Sequence, residues 1–129
     1  MGLADSMYTI LNTSWETSVI AKPNFYTDEK SDPNMRDCII DSDEQGQFEP
    51  SSFDGSDDIR VQDWSIIGME GSEDDCYKMI RQIKKHLKAA SSVSNGTFIF
   101  REYAISGTNQ QQQYIVRGSN RKLISNDDF

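Results

Sequence analysis

Apolar residues recur along the chain in two rhythms. Leu3, Met7, Ile10 and Leu11 fall at helical spacing, which predicts a short amphipathic helix over residues 3–13 with Asp5 or Ser6 as its cap. A helix this short is marginal alone, so its apolar face needs a partner. A longer stripe follows at Cys76, Met79, Ile80, Ile83, Leu87 and Ala90, which predicts a helix over residues 73–90. Ser72 with Asp75 resembles a shortened capping box. Glu73, Asp74 and Asp75 fill the first turn, and Lys84, Lys85 and Lys88 fill the later turns, each group at the end that suits the helix dipole.

The second rhythm is that of strands. Phe25 and Tyr26 start one, and residues 36–41 give a short one around Cys38, Ile39 and Ile40. Pro23 and Pro33 keep helix away from the residues before them. Residues 59–69 form the next strand, with Ile59 and Val61 on one face and Trp64 and Ile66 on the other, unless a bulge near Asp63 resets the register. After an Asn95-Gly96 turn, residues 97–105 carry Phe98 and Phe100 on one face, and Ile99, Arg101, Tyr103 and Ile105 on the other. The last strand spans residues 114–124, with Gly118 breaking or bending it. The order is α-β-β-α-β-β: an α+β domain whose mostly antiparallel sheet carries the N-terminal helix and one long amphipathic helix.

Between the second and third apolar strand segments lies the polar run 42–58, anchored by Phe48 and Phe53 alone; it predicts a long hairpin or a flexible loop. The tail 125–129 is expected to be flexible as well. The whole of 1–129 fits one domain, and 36% hydrophobic residues suffice for a core, although the mean hydropathy of −0.67 implies a thin one.

Charge changes the picture. The net charge is −8, which repels phosphate backbones and anionic lipid, and disfavours duplex binding by the chain alone. The distribution is uneven. Nine of the 13 Lys and Arg follow Cys76, where Glu102, Asp127 and Asp128 are the acids. One acidic and one basic part allow copies to dock head-to-tail. No run approaches the roughly 18 apolar residues of a membrane span. The first residues lack the basic start and apolar stretch of a signal peptide. Gly2 with Ser6 matches the bare myristoylation pattern, a match too short to carry weight. Without a secretory signal, Cys38 and Cys76 read as reduced thiols, and the sequons at Asn12 and Asn95 have no meaning.

Candidate chemistry is sparse. His86 stands ten residues from Cys76, about 15 Å along one helix, so the two cannot form a nucleophilic pair; it reads as a half-exposed surface histidine. Residues 41–46 echo the start of a calcium loop, but Ser52 stands where a bidentate Glu is required, and Gln45 replaces an acid or amide of the right length. Phosphate-loop, dinucleotide and nucleophile-elbow motifs are absent from the sequence. The Phe98, Phe100, Arg101 and Tyr103 strand lacks the glycine pattern of an RNA-recognition surface, and its aromatics read as core. The chain is thus read as a binding or assembly protein without catalytic residues, cofactor or metal.

A helix that ends near Trp15 is followed by an extended segment at Lys22, Pro23, Asn24 and Phe25. Later a strand through Trp64, Ser65, Ile66 and Ile67 leads to a helix carrying Met79, Ile80, Arg81, Gln82 and Ile83, and two long polar strands close the chain. In element order and texture, over residues 5–125, this resembles the tail-terminator and tail-completion (neck) proteins of tailed viruses. The resemblance implies a sheet backed by helices and a hexameric ring that caps the tail tube and joins it to the connector. It implies a virion component made in the host cytoplasm, whose partners are other copies and neighbouring virion proteins, with DNA at most passing through the lumen. The acidic segment, including Asp54, Asp57 and Asp58, would then line that lumen or face the next ring. Lys84, Lys85, Lys88, Arg117 and Arg121 would form the basic side that meets a neighbour's acids. Trp15 and Trp64 are large enough to anchor a contact, though such residues more often sit in a core. The alternatives are a small monomeric α+β binding or regulatory module and an enzyme, which would need a concave pocket of converging polar groups.

Overall fold

The two rhythms resolve into helices and strands in a computed structural model that describes residues 2–27, 34–50, 57–108 and 111–125. The elements are α1 (Leu3–Ser14), β1 (Asn24–Tyr26), β2 (Asp37–Ser42), β3 (Gln47–Pro50), β4 (Asp57–Glu70), α2 (Glu73–Ala89), β5 (Thr97–Gly107) and β6 (Gln112–Ser125). The strands form one sheet in the order β1-β2-β4-β6-β5, with β3 also paired to β4. The fold is α+β and the sheet is mostly antiparallel, as expected. Four strands precede α2, however, against the two in α-β-β-α-β-β, which counted neither the start at Phe25 and Tyr26 nor β3; and β1 runs parallel to β2, so the sheet is mixed. A three-residue strand such as β1 leaves little periodic signal, and its direction shows only in its register with β2, from Asn24↔Asp37 to Tyr26↔Ile39.

The spine of the sheet is the β4–β6 pair, in register from Asp57↔Ser125 to Glu70↔Gln112 without a slip. The bulge considered near Asp63 is therefore not in β4. Strict alternation sends Gln62, Trp64, Ile66, Gly68 and Glu70 to one face and Val61, Asp63, Ser65, Ile67 and Met69 to the other. Both helices lie on the first face. Leu3, Ala4, Met7 and Leu11 of α1, with Cys76, Met79, Ile80, Ile83 and Leu87 of α2, pack there against Cys38, Ile40, Trp64, Ile66, Phe98, Tyr114 and Val116. Each large aliphatic side chain so buried contributes about 1.5–3 kcal/mol, which is how two short amphipathic helices become stable.

The one slip in register falls in β5, between Phe100 and Glu102. It leaves Arg101 as the extra residue and turns Tyr103 and Ile105 onto the helix side with Phe98 and Phe100, opposite to the expected alternation. Gly118, the partner of Phe100, does not break β6, which runs on through it to Ser125. The polar run 42–58 contains β3, which forms a hairpin with the start of β4. Residues 51–56 and 126–129 lie outside the described residues, while Ser125 ends β6.

Local chemistry explains the helix ends. Ser72 caps α2, its Oγ accepting from Asp75 N at 3.1 Å. Neither Asp5 nor Ser6 caps α1: its N-cap is Gly2, which offers no side chain. The missing acceptor arrives from far along the chain. Glu44 accepts from Leu3 N at 3.1 Å and Ala4 N at 3.5 Å. After α1, the Gln82 amide reproduces a backbone pairing with Glu16, accepting from Glu16 N at 3.0 Å and donating to Glu16 O at 3.1 Å.

Candidate functional site

The face of the sheet away from the helices carries a row of apolar side chains fixed by register. Tyr26 pairs with Ile39, Ile39 with Ile67, Ile67 with Ile115, and Ile115 with Ala104, so one row crosses β1, β2, β4, β6 and β5. Among the described residues no element covers it. The row above is charged: Asp41, Ser65, Arg117 and Glu102 are successive partners. The row below holds Met69, Gln113 and Ser106. An antiparallel sheet that faces water on one side normally alternates apolar with polar. Here Ile39-Ile40, Ile66-Ile67 and Tyr114-Ile115-Val116 are apolar at both parities, and that doubling was the available sign of a two-sided apolar sheet.

A second feature sits at the end of the helix-side face. β2 and β3 share one edge of β4: Ser42 pairs with Trp64 and Gln47 with Val61, so residues 43–46 on one side span Gln62 and Asp63 on the other. Gly46, at φ +67°, closes this excursion. Gln62 fills it, its Nε2 donating to Asp43 O at 3.0 Å and Glu44 O at 3.2 Å, and Arg60 also donates to Glu44 O. The excursion aims Glu44 at the end of α1, and its hydrogen bonds, led by that from Ser42, hold the Glu44 carboxyl below the usual range. The segment that echoed a calcium loop is thus a strand interruption whose carboxylates serve neighbouring donors: Asp41 accepts from Ser42 N and Asp43 from Gln45 N. Below it a cleft of about 370 Å³ opens beside Arg60 and Lys122.

The expected interface residues fall into several groups. Trp15 is 9% exposed, its ring packed against Phe25 and His86 and its Nε1 donating to Ile20 O at 3.1 Å. Trp64 is also in the core, against Phe98 and Phe100. Asp54 lies outside the described residues. Asp57 and Asp58 open β4, in register with Ser125 and Ile124. Arg121 meets Glu49 of its own chain at 2.7 Å, Arg117 meets Glu102 at 3.5 Å, and Lys85 meets Glu16 at 2.9 Å. Lys84 lies 5.5 Å from the centre of the Tyr103 ring, and Lys88 is exposed. Exposed pairs of this kind are screened by solvent and add little to stability.

The two thiols, the Tyr114 hydroxyl and the single histidine are withdrawn from water. Burial pushes the Cys38 thiol up to about 12 and Cys76 up to about 11, and raises Tyr114 well above the usual phenol range. His86 is not the half-exposed surface residue expected: it is 8% exposed, Nε2 lies 2.9 Å from Gln82 Oε1, and burial lowers its pKa. Trp15 and the Gln82–Glu16 pairing cover it, which helical spacing could not show. Among the described residues, no group of three or more His, Cys, Asp or Glu is placed to hold a metal ion, and no helix is long and apolar enough to cross a membrane. No protein-family model matches this chain, and no curated protein matches it either.

Proposed function

We propose that this protein is a structural assembly component that associates with further copies of itself through the open face of its sheet. The observation that carries the reading is the uncovered apolar row from Tyr26 to Ala104, bordered by a row holding both signs of charge. Contiguous apolar surface of this kind marks a contact site. β5 adds to it as an edge strand: beyond the bulge at Arg101, residues 103–107 pair on one side with β6 and leave the other side open among the described residues. Identical chains can pair such edges or bury such faces, and closed rings follow where the rotation between copies closes. The specific assembly we favour is the ring at the neck or tail end of a tailed virion, on the strength of the sequence resemblance. The burial of His86, Cys38 and Cys76 supports binding over chemistry.

Light scattering at low and moderate salt tests the reading. The expected mass is a multiple of the 14.7 kDa chain, reduced towards one chain by Ala104→Glu, which places a carboxylate in the row at an exposed position. A single-chain mass at high protein concentration would overturn self-assembly in favour of a monomeric binding module. A multimer indifferent to Ala104→Glu and to Ile115→Asp would place the contact elsewhere and overturn the role of this face.

A further inference from the structure

On the helix-side face, β4 and β6 continue beyond the end of α1 and form the floor of the cleft. Four floor residues come as two register pairs, Gln62↔Asn120 and Arg60↔Lys122. The second pair is the anomaly. Two like charges directly opposite on neighbouring strands destabilise a sheet, and this chain carries a net −8 from which an acid could have been drawn. The other strand arginines do face acids: Arg101 meets Asp63 at 3.7 Å, Arg117 meets Glu102, and Arg121 meets Glu49. Among the described residues neither Arg60 nor Lys122 comes within ion-pair distance of an acid, although the Arg60 charge acts on the Glu44 carboxylate at the rim of the cleft and helps to hold its pKa down. Arg60 donates to a carbonyl, that of Glu44, and lies 6.0 Å from the Phe48 ring centre, while its Nε is buried with no hydrogen-bond partner.

The walls are held in place independently of any occupant. Gln62, 8% exposed, is tied to the excursion at residues 43–46, and Asn120, 2% exposed, donates to Asn95 O at 2.9 Å, fixing the turn before β5. A site built on two long strands with locked polar neighbours is preorganised. The amides at the end of α1 are already taken by Glu44, so the cation pair, not the helix end, defines what this cleft attracts.

We infer that the cleft binds a small polar organic phosphate, with Arg60 and Lys122 sharing the charge of its phosphate group. Two adjacent cations match a dianion better than a single carboxylate, and the Arg60 guanidinium, one nitrogen of which is given to the Glu44 carbonyl, keeps further N–H donors beside the Lys122 ammonium for phosphate oxygens. The volume of about 370 Å³ exceeds what the anion alone fills and lies in the range of small-molecule sites. The remaining surface, supplied by Gln62, Asn120 and Asn95, suits a hydroxylated body and not an apolar one.

The test is a titration of the ¹⁵N-labelled full chain at fixed ionic strength with inorganic phosphate, ribose 5-phosphate and ribose, following the amide signals of Asn95 and Lys122. Saturable shifts are expected with both phosphates, tighter for ribose 5-phosphate, and none with ribose. Arg60→Gln and Lys122→Gln should each weaken binding by about tenfold or more, since each removes a charge-assisted hydrogen bond. Glu44→Gln, which removes a nearby negative charge, should tighten it by about two- to fivefold. Lys122 is exposed, so its variant keeps the test decisive even where Arg60→Gln fails to fold. The absence of saturable shifts, or shifts that survive Lys122→Gln unchanged, would overturn the site. Inorganic phosphate binding as tightly as ribose 5-phosphate would overturn the organic-phosphate assignment.

Discussion

Tyr114 lies across Gly68, its register partner on the neighbouring strand, so closely that a Cβ at Gly68 would stand 2.1 Å from Tyr114 Oη. The arrangement recurs with the strands exchanged: Trp64 of β4 covers Gly118 of β6, where a Cβ would meet Trp64 Cζ2 at 2.7 Å and the Ile99 carbonyl oxygen at 1.9 Å. A large ring can lie flat between the sheet and the helices where the residue opposite has no side chain. Two reciprocal ring-on-glycine pairs therefore pin the β4–β6 register, because a slip by one residue would drive each ring onto a Cβ.

Gly68→Ala should destabilise the fold by about 1–3 kcal/mol, the usual range for overpacking. Gly118→Ala should cost more, because the nearest blocking atom belongs to the backbone of β5 and not to a side chain. Tyr114→Phe should change stability by no more than about 1 kcal/mol, because the buried hydroxyl has only the Cys38 thiol beside it, a weak hydrogen-bond partner. Urea unfolding midpoints of the three variants give this ranking directly, and a large loss in Tyr114→Phe would mean that the Cys38–Tyr114 contact is a strong hydrogen bond and not a weak one.

Glu44→Ala removes the acceptor at the start of α1 and should cost about 0.5–1 kcal/mol at pH 7, the low end of capping effects because the carboxylate is exposed. The folded carboxyl titrates below its ordinary value of 4.5. Its contribution is therefore complete above about 4.5 and disappears as pH falls through the lower folded value. Thermal melts of both proteins should differ at pH 7 and converge in acid.

Glu70 has the opposite sign. Burial, helped by Asp75 and opposed by Arg36, raises its carboxyl above 4.5. The folded chain then binds more protons than the unfolded chain in that window, so stability falls as pH rises through it. Glu70→Gln should be more stable than the parent at pH 7, with the advantage vanishing below about pH 4.5. Chemical denaturation at the two pH values measures the difference.

His86 adds a third dependence. Burial holds its pKa below 6.5, against the pull of Glu16 and with the help of Lys85. The neutral ring is favoured in the fold, so stability is complete above about 6.5 and is lost as pH falls from there through the folded value. His86→Gln should flatten that part of the pH–stability curve. Gln82→Leu should cost about 1–3 kcal/mol at every pH, because it leaves Glu16 N and O without their partner. Equilibrium unfolding between pH 5 and 8 separates the two effects.

Periodicity was enough to locate both helices, because Leu3, Met7 and Leu11, and Cys76 through Leu87, repeat at the spacing of one helix face, and it placed the long strands within a few residues. Those are local properties, decided by which side chains share a face. The face reversal after Phe100 was not legible, because a one-residue bulge at Arg101 changes every later parity in β5. Nor was the parallel direction of β1. The doubled isoleucines at 39–40 and 66–67 did signal a sheet apolar on both sides, but only register shows that Ile39, Ile67 and Ile115 form one row. The cleft lay further still from local pattern. Arg60 and Lys122 are separated by the whole of α2 and β5, and Glu44 reaches α1 from 41 positions away. Their meeting depends on the β4–β6 register set by Tyr114 over Gly68 and Trp64 over Gly118, which no single segment encodes. Local sequence chose the elements because each follows from its own side-chain spacing; tertiary packing chose the sites because charge and shape act between residues that the chain keeps far apart.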